Sequence, residues 1–472
     1  MLTNNRSIRQ RRRRRRQSVI EDDDDAVYAA MEEGRDGELS FAKMFFAMLY
    51  SILLLYIPSL LFEYGTKGKE LKRDRRPFEE KIDAKLSDNL FRRIYRMSRQ
   101  SFYKLHEMLE PKLNEIFFPK GGGKRKPGKC SYLIDTKTRL SIALRFFAGA
   151  DPVDLMQIHD VGLVSVYYSV WCVIDAINQT DELKYSFPAE AEQEVIAAGF
   201  KRKSGAGFSN VIGAIDGLVI CTLMPSLIIC RMLNCGQKSF RCHRKDKFGL
   251  NMQAICDHML RFTWVEIKWP AATSDYLAWV TSSLCMMLEE GTGTVVIKPG
   301  FTLVGDNAYV KKPYMATPLK GVRAGYEDGY NFYLSQLRIT IERAFGVLVH
   351  RWSILRAPLT IPIPKVAPMM ESLIRLHNYC INESEDTIVA IQDRNSRNLH
   401  RNVRISRELG GSDSSLVDFD DVGRPTSLLN HGHHFLDAEN YRYDRSLART
   451  RTPMDEMIDS VANQRLTRPR YD

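Results

Sequence analysis

Cysteine is sparse and unevenly placed. Nine cysteines in 472 residues do not make the dense, even framework that staples a small secreted domain. Most of them, Cys172, Cys221, Cys256, Cys285 and Cys380, fall in apolar runs where a reduced thiol packs as a small hydrophobe, so a reducing compartment is expected. Cys230, Cys235 and Cys242 with His243 offer four potential ligands, but the paired short spacings of a common zinc module are missing. No signal-peptide cleavage pattern is evident, because the first hydrophobic stretch starts far into the chain and is followed by bulky residues. Excess acid is missing too. A net charge of +11 and a pI near 9.1 call for an anionic partner, DNA or RNA first and an acidic membrane surface second.

The length of 472 residues exceeds what one core usually holds, and 44% hydrophobic residues suffice for two or three folded units with tails. Residues 1–40 carry Arg11 to Arg16 and then Glu21 to Asp25, opposed charge blocks that read as a disordered tail. The arginine run suits a nuclear localisation signal or a loose phosphate-binding arm, and the nucleus is the expected location. Residues 41–62 form an apolar helix, and Met44 to Phe62 is a run of nineteen without charge, long enough to span a hydrocarbon core. Basic residues flank it on both sides, so two readings stand: a membrane anchor, or a buried or partner-binding helix kinked at Pro58.

Residues 85–195 read as a helical domain. FRRIYRMSRQSFYKLHEMLEPKLNEIFF is one or two amphipathic helices, with Ser98 or Ser101 as a cap. Gly121 to Lys129 is a flexible basic loop. Residues 138–178 follow the helix, turn, short helix, turn, longer helix layout of a helix-turn-helix. The second of its paired helices, SVYYSVWCVIDAI, offers few side chains able to read base edges, so DNA binding and plain helical packing stand side by side.

Beyond Lys201 to Lys203 the pattern changes to short apolar runs broken by turns, the signature of strands. FSNVIGAIDGLVI (208–220) holds a single acid, Asp216, whose charge is costly in an apolar strand unless paired or metal-bound. FGLNMQAICD (248–257) and RFTWVEIKW (261–269) read as antiparallel neighbours. DYLAWVTSSLCMMLEEG (275–291) reads as one helix opened by Asp275, and TVVIKPGFTLVGD (294–306) as a strand ending in Asp306. The long helix at 331–355 follows. Its Leu334, Leu337, Ile341, Phe345, Leu348 and Trp352 recur at the spacing of one buried face, with Glu342 beside them and Arg338 and Arg343 flanking the acid. Taken alone, Glu342 is a satisfied ion pair.

The order of strand with an acid, two strands, helix, strand ending in an acid, and helix with an acid is that of an α/β ribonuclease-H-like nuclease core, here over residues 205–384. Cutting a phosphodiester requires charge neutralised on the entering and leaving oxygens, which two Mg²⁺ ions about 3.5–4 Å apart achieve. Mg²⁺ prefers oxygen ligands. Asp216, Asp306 and Glu342 supply them, with 35 residues (307–341) between the last two.

GAIDG (213–217), LNMQAICD (250–257), KWPAATSD (268–275), LVGDNAY (303–309), IERAFGVLVHRWSIL (341–355) and LHNYCI (376–381) resemble, in order and spacing, the nuclease domain of Harbinger-type transposases and their domesticated relatives. The resemblance implies a DDE endonuclease with a divalent metal cation, Mg²⁺ or Mn²⁺, that cuts transposon ends and joins them to target DNA. It implies a Myb-like DNA-binding partner protein and a metal role for Asp275, which spacing alone would make a helix N-cap. Homo-oligomers remain an open partner class. The chain departs from the pattern in three places. Alanine replaces a usual glycine in WPAATSD, the arginine expected soon after Asp275 is missing, and GAIDG is followed by LVI instead of Thr-His. RCHRKDKF (241–248) stands where the family has an Asn-Arg-Lys-Gly segment. Its Arg244 and Lys245 are the candidates for phosphate contacts, against a solvated hairpin tip; Arg338 and Arg343 either hold DNA or balance Glu342.

Residues 385–472 turn polar and charged and read as a mostly disordered tail in which HGHH (431–434) has no second ligand cluster. PMDEMIDSVANQRL near the end reads as a short helix that docks back or binds a partner.

Overall fold

The computed structural model describes residues 76–117, 134–290, 297–322, 324–383 and 452–469. The arginine run, the apolar stretch 41–62, the basic loop 121–129 and HGHH lie outside these residues. The helical region opens with α1 (Phe78–Lys81), α2 (Asp88–Tyr95) and α3 (Arg99–Phe117). Ser87 caps α2 through Leu90 N, and Arg96, at φ 63°, ends it. The Ser98 hydroxyl then takes the Ser101 N–H at 3.1 Å at the start of α3. Two helices therefore stand where one or two were expected, with Ser98 as the cap.

Asp135 caps α4 (Thr136–Phe147), and Asp151, followed by Pro152, caps α5 (Pro152–His159). α6 (Leu163–Gln179) leaves α5 at 100°. The angle suits a helix-turn-helix, but α6 spends its length on packing. Val166, Val170, Val173, Ile174 and Ile177 are buried, and its exposed Leu163, Val164, Tyr168, Asp175 and Gln179 include no cation. Among the described residues no single helix is long and apolar enough to cross a membrane.

After α7 (Glu190–Lys203) the apolar run becomes strand β1 (Val211–Cys221). A short helix, α8 (Leu227–Met232), and the two-residue β2 (Arg241–Cys242) lead to β3 (Lys247–Cys256) and β4 (Phe262–Pro270). β1 is antiparallel to β3, and β3 to β4; on its other side β1 is parallel to β5 (Thr302–Val304), which is parallel to β6 (Met315–Ala316). The order β4-β3-β1-β5-β6, with β2 on the start of β3, is the mixed sheet of a ribonuclease-H-like core.

Both faces of the sheet are covered, because side chains alternate along each strand. Ala214, Ile220, Met252, Ala254 and Cys256 face the main core, closed by α11 (Tyr326–Arg351) and α12 (Ile363–Asn382). Ile212, Ile215, Ile255, Leu303 and Met315 face the other side, closed by α9 (Asp275–Val280) and α10 (Ser283–Glu290). The main core continues without a break into the helical region, where Trp352 meets Phe147 edge-on at 6.1 Å.

Two expected elements differ. The 275–291 helix breaks at Thr281 and Ser282, whose side chains take over local hydrogen bonding: Thr281 Oγ1 donates to Leu277 O and Ser282 Oγ accepts from Cys285 N. The strand expected at 294–306 is, among the described residues, only Thr302–Val304, so Asp306 stands just past its end.

Candidate active site

Asp216 and Asp306 are brought side by side by the parallel ladder. Ala214 pairs with Val304, the last pair of that ladder; two residues on, Asp216 still lies on β1 while Asp306 has just left β5, close enough for its charge to act on Asp216. Asp216 pairs across the sheet with Ala254, which puts it on the face of the main core toward α11. Burial pushes its carboxyl up to about 7. The Gly217 N–H at 2.8 Å opposes the shift, the Asp306 charge adds to it, Arg338 opposes it and Asp275 adds again. Asp306 is held by its own turn, with Oδ1 accepting the Ala308 N–H at 2.8 Å.

Asp275 reaches β1 from the other face. Ser274 caps α9 through Leu277 N, so Asp275 occupies the first helical position and its side chain is free to turn inward, not the N-cap that spacing suggested. It comes over Gly217, where a β-carbon would lie only 2.1 Å from Asp275 Oδ1. Asn251 Nδ2 at 3.1 Å and Gln253 Nε2 at 2.9 Å both donate to that oxygen. Gln253 is held in turn by the Tyr309 hydroxyl, which donates to Gln253 Oε1 at 2.6 Å. Asn251, Gln253 and Tyr309 lie within LNMQAICD and LVGDNAY, where the order of the acids assigns them no part. Their signal was available: two amides at alternate positions of an apolar strand mark one polar strip on a buried face.

On α11 the six-residue stripe from Leu334 to Trp352 is buried, with Trp352 just past the helix end. Glu342 stands beside it, 40% exposed, and pairs with Arg338 at 3.0 Å. The Arg338 charge also acts on Asp216 and on Tyr309, so the cation of this pair is near the aspartates. Arg343 turns to the other side, where its charge acts on Lys203. Arg244 and Lys245 occupy the exposed turn between β2 and β3. From Lys247 to Ala254, the partner of Asp216, the strand runs about 23 Å at 3.3 Å per residue, so the turn is not brought to the acids.

Among the described residues no group of three His, Cys, Asp or Glu side chains converges into a ready metal shell. Asp306 and Asp275 both act on Asp216, and Glu342 is linked to this group through Arg338, which pairs with Glu342 and acts on Asp216. The donor set is all oxygen, which suits a hard divalent ion. Asp216, buried beside like charges and with Arg338 already engaged by Glu342, has a deficit of positive charge that such an ion would supply.

Residues 216–378 match the family of DDE superfamily endonucleases. The Bos taurus protein named "Putative nuclease HARBI1" is 24% identical over 305 residues, covering 64% of this chain and 80% of that protein. The Homo sapiens protein of the same name is 23% identical over the same shares. The Arabidopsis thaliana "Protein ALP1-like" is 21% identical over 266 residues, 54% of this chain and 63% of that protein. No solved structure matches the chain.

Proposed function

We propose, from the match of residues 216–378 to the DDE superfamily endonucleases and the similarity to the two HARBI1 proteins, that the chain is a nuclear, divalent-metal-dependent endonuclease that cuts phosphodiester bonds of DNA. The observation that carries this reading is the buried Asp216 on β1 beside Asp306 just past the end of the parallel β5, with too little positive charge around it. Asp216, Asp306 and Glu342 would hold Mg²⁺ or Mn²⁺, with Asp275 contributing from the Gly217 side. Bound divalent ions supply neutralisation of the charge that builds on the entering and leaving oxygens. The protein's own part is positional: the sheet fixes two carboxylates, and the buried stripe of α11 fixes the helix that presents the third. Arg338 balances Glu342 at 3.0 Å, and would be available to a DNA phosphate were a cation to take over that carboxylate. Arg343, Arg244 and Lys245 are outlying phosphate contacts.

The test is nicking of supercoiled plasmid in Mg²⁺ or Mn²⁺. Asp216→Ala, Asp306→Ala and Glu342→Ala should each cost on the order of 100-fold or more. An Asp306→Ala protein that cleaves as well as its parent sinks the assignment. The Arg338–Glu342 pair favours a second reading, in which a domesticated relative grips DNA without cutting. That reading expects salt-sensitive DNA binding that survives loss of all three acids.

A further inference from the structure

Asp275 is not simply near the other acids; it is aimed. Its Oδ1 accepts from Asn251 Nδ2 at 3.1 Å and from Gln253 Nε2 at 2.9 Å. Neither amide can turn over. The Asp275 carboxylate only accepts, so Nε2 is the end of Gln253 that meets it, and Oε1 then accepts the Tyr309 hydroxyl at 2.6 Å. Gln253 Nε2 also donates to Asn251 Oδ1 at 2.9 Å, so the Asn251 Nδ2 is the end that meets Asp275, and it donates as well to Thr273 O at 3.1 Å. Orientation therefore passes along one chain of donors, from Tyr309 through Gln253 and Asn251 to one oxygen of Asp275. All three senders are buried, at 2–4% exposure, so water cannot substitute for a missing link.

The origin of the chain is informative. Tyr309 belongs to the turn that carries Asp306, and its backbone N–H donates to Asp306 O at 3.3 Å. Its ring packs edge-on against Trp279 of α9 at 6.3 Å, and Gly305 leaves room for it, since a β-carbon there would be 2.7 Å from Tyr309 Cδ2. The turn holding one acid thus fixes the carboxylate of another that arrives from a different element.

We propose that Tyr309, Gln253 and Asn251 are positioning residues of the metal site: by occupying Asp275 Oδ1 they leave Oδ2 as the oxygen offered to the cation and tie its position to that of Asp306. This rests on the metal-site reading above. Outer partners of this kind typically set metal affinity by 10- to 100-fold.

The experiment titrates Mn²⁺ into the full chain without DNA, reads bound ion by electron paramagnetic resonance, and follows plasmid nicking against Mn²⁺ in parallel. Tyr309→Phe keeps the ring and removes only the donor; Gln253→Glu keeps the shape and replaces the amide donor with an acceptor. Each should leave a cooperative thermal unfolding transition and weaken Mn²⁺ binding about tenfold, moving the nicking curve to correspondingly higher Mn²⁺. A residue that only supports the fold would lower the melting temperature without moving the affinity. Parental Mn²⁺ affinity in both variants overturns the positioning role while leaving the metal site intact. A parent chain that binds no Mn²⁺ overturns the metal site itself, and the positioning role with it.

Discussion

Gly217 shows how much of the site depends on a single missing atom. A β-carbon at this position would stand 2.1 Å from Asp275 Oδ1 and 2.7 Å from Gln253 Nε2. Neither neighbour is the loose end of a flexible chain, because the hydrogen bonds just described hold both. Gly217→Ala should therefore expel the Asp275 carboxylate and leave the amides of Asn251 and Gln253 buried without their shared acceptor. Each of the two lost hydrogen bonds to the carboxylate costs about 1–3 kcal/mol, so a loss of about 2–6 kcal/mol in unfolding free energy is expected by denaturant titration. Gly236→Ala is the control: nothing lies within 4 Å of a β-carbon there, and the change should stay within about 0.5 kcal/mol. Equal effects at the two glycines would mean that the close approach at Gly217 carries no energetic weight. The sequence displays GAIDG plainly, but the second glycine's purpose was not legible, since the atom it makes room for arrives from α9 across the sheet.

Among the elements, α12 explains a motif that had only a family likeness behind it. In LHNYCI, Asn378 Oδ1 accepts the Phe262 N–H at 2.9 Å and Asn378 Nδ2 donates to Phe262 O at 2.7 Å. The helix thereby satisfies both backbone groups of the first residue of β4 and covers that end of the edge strand. His377 Nε2 donates to Leu260 O at 2.9 Å, and the ring lies against Phe262 at 4.9 Å. Burial holds His377 down to about 3, so the folded protein keeps it neutral while the unfolded chain takes up a proton below about 6.5. Its contribution is present above pH 6.5 and is lost as pH falls toward 3. In that window His377→Gln should flatten the fall of stability with acid by about 1.4 kcal/mol per pH unit, measured by urea unfolding at several pH values. An unchanged slope would show that the histidine is protonated in the fold. The α11 stripe was legible because a helix face is a local pattern. The break at Thr281 and the shortness of β5 were not, because side-chain competition for the backbone and parallel pairing with β1 depend on contacts that periodicity does not carry. For the same reason element order brings Asp216 and Asp306 together, while the polar strip behind Asp275 depends on a contact across the sheet.

At the scale of the whole molecule, the end of the chain returns to the core. Helix α13 (Pro453–Asn463), opened by Thr452 in a capping box with Asp455, buries Met454, Met457 and Val461 in the main core. Pro453 O accepts from Asn210 Nδ2 at 3.0 Å just before β1, and Gln464 Nε2 donates to Ala206 O at 3.1 Å. Lys311, in the segment after Asp306, pairs with Asp455 at 3.7 Å. Gly329 on α11 admits the chain beyond the helix, since a β-carbon there would meet Leu466 O at 2.8 Å. One terminal segment thus braces the start of β1, the region after β5 and the first turns of α11, the three elements that carry Asp216, Asp306 and Glu342. Three buried apolar side chains at about 1.5–3 kcal/mol each give a gross upper bound of about 5–9 kcal/mol. Removing residues 452–472 should lower the melting temperature by several degrees or more and increase amide exchange in β1 and α11, while α2 and α3, on the far side of the core, change least. Adding a peptide of residues 452–469 should restore part of the loss. Met457→Asp in the full chain should reproduce the effect with the segment still attached, through burial of an unpaired charge. If both variants melt with the parent, the docked helix is a passenger and the three acid-bearing elements hold their arrangement without it.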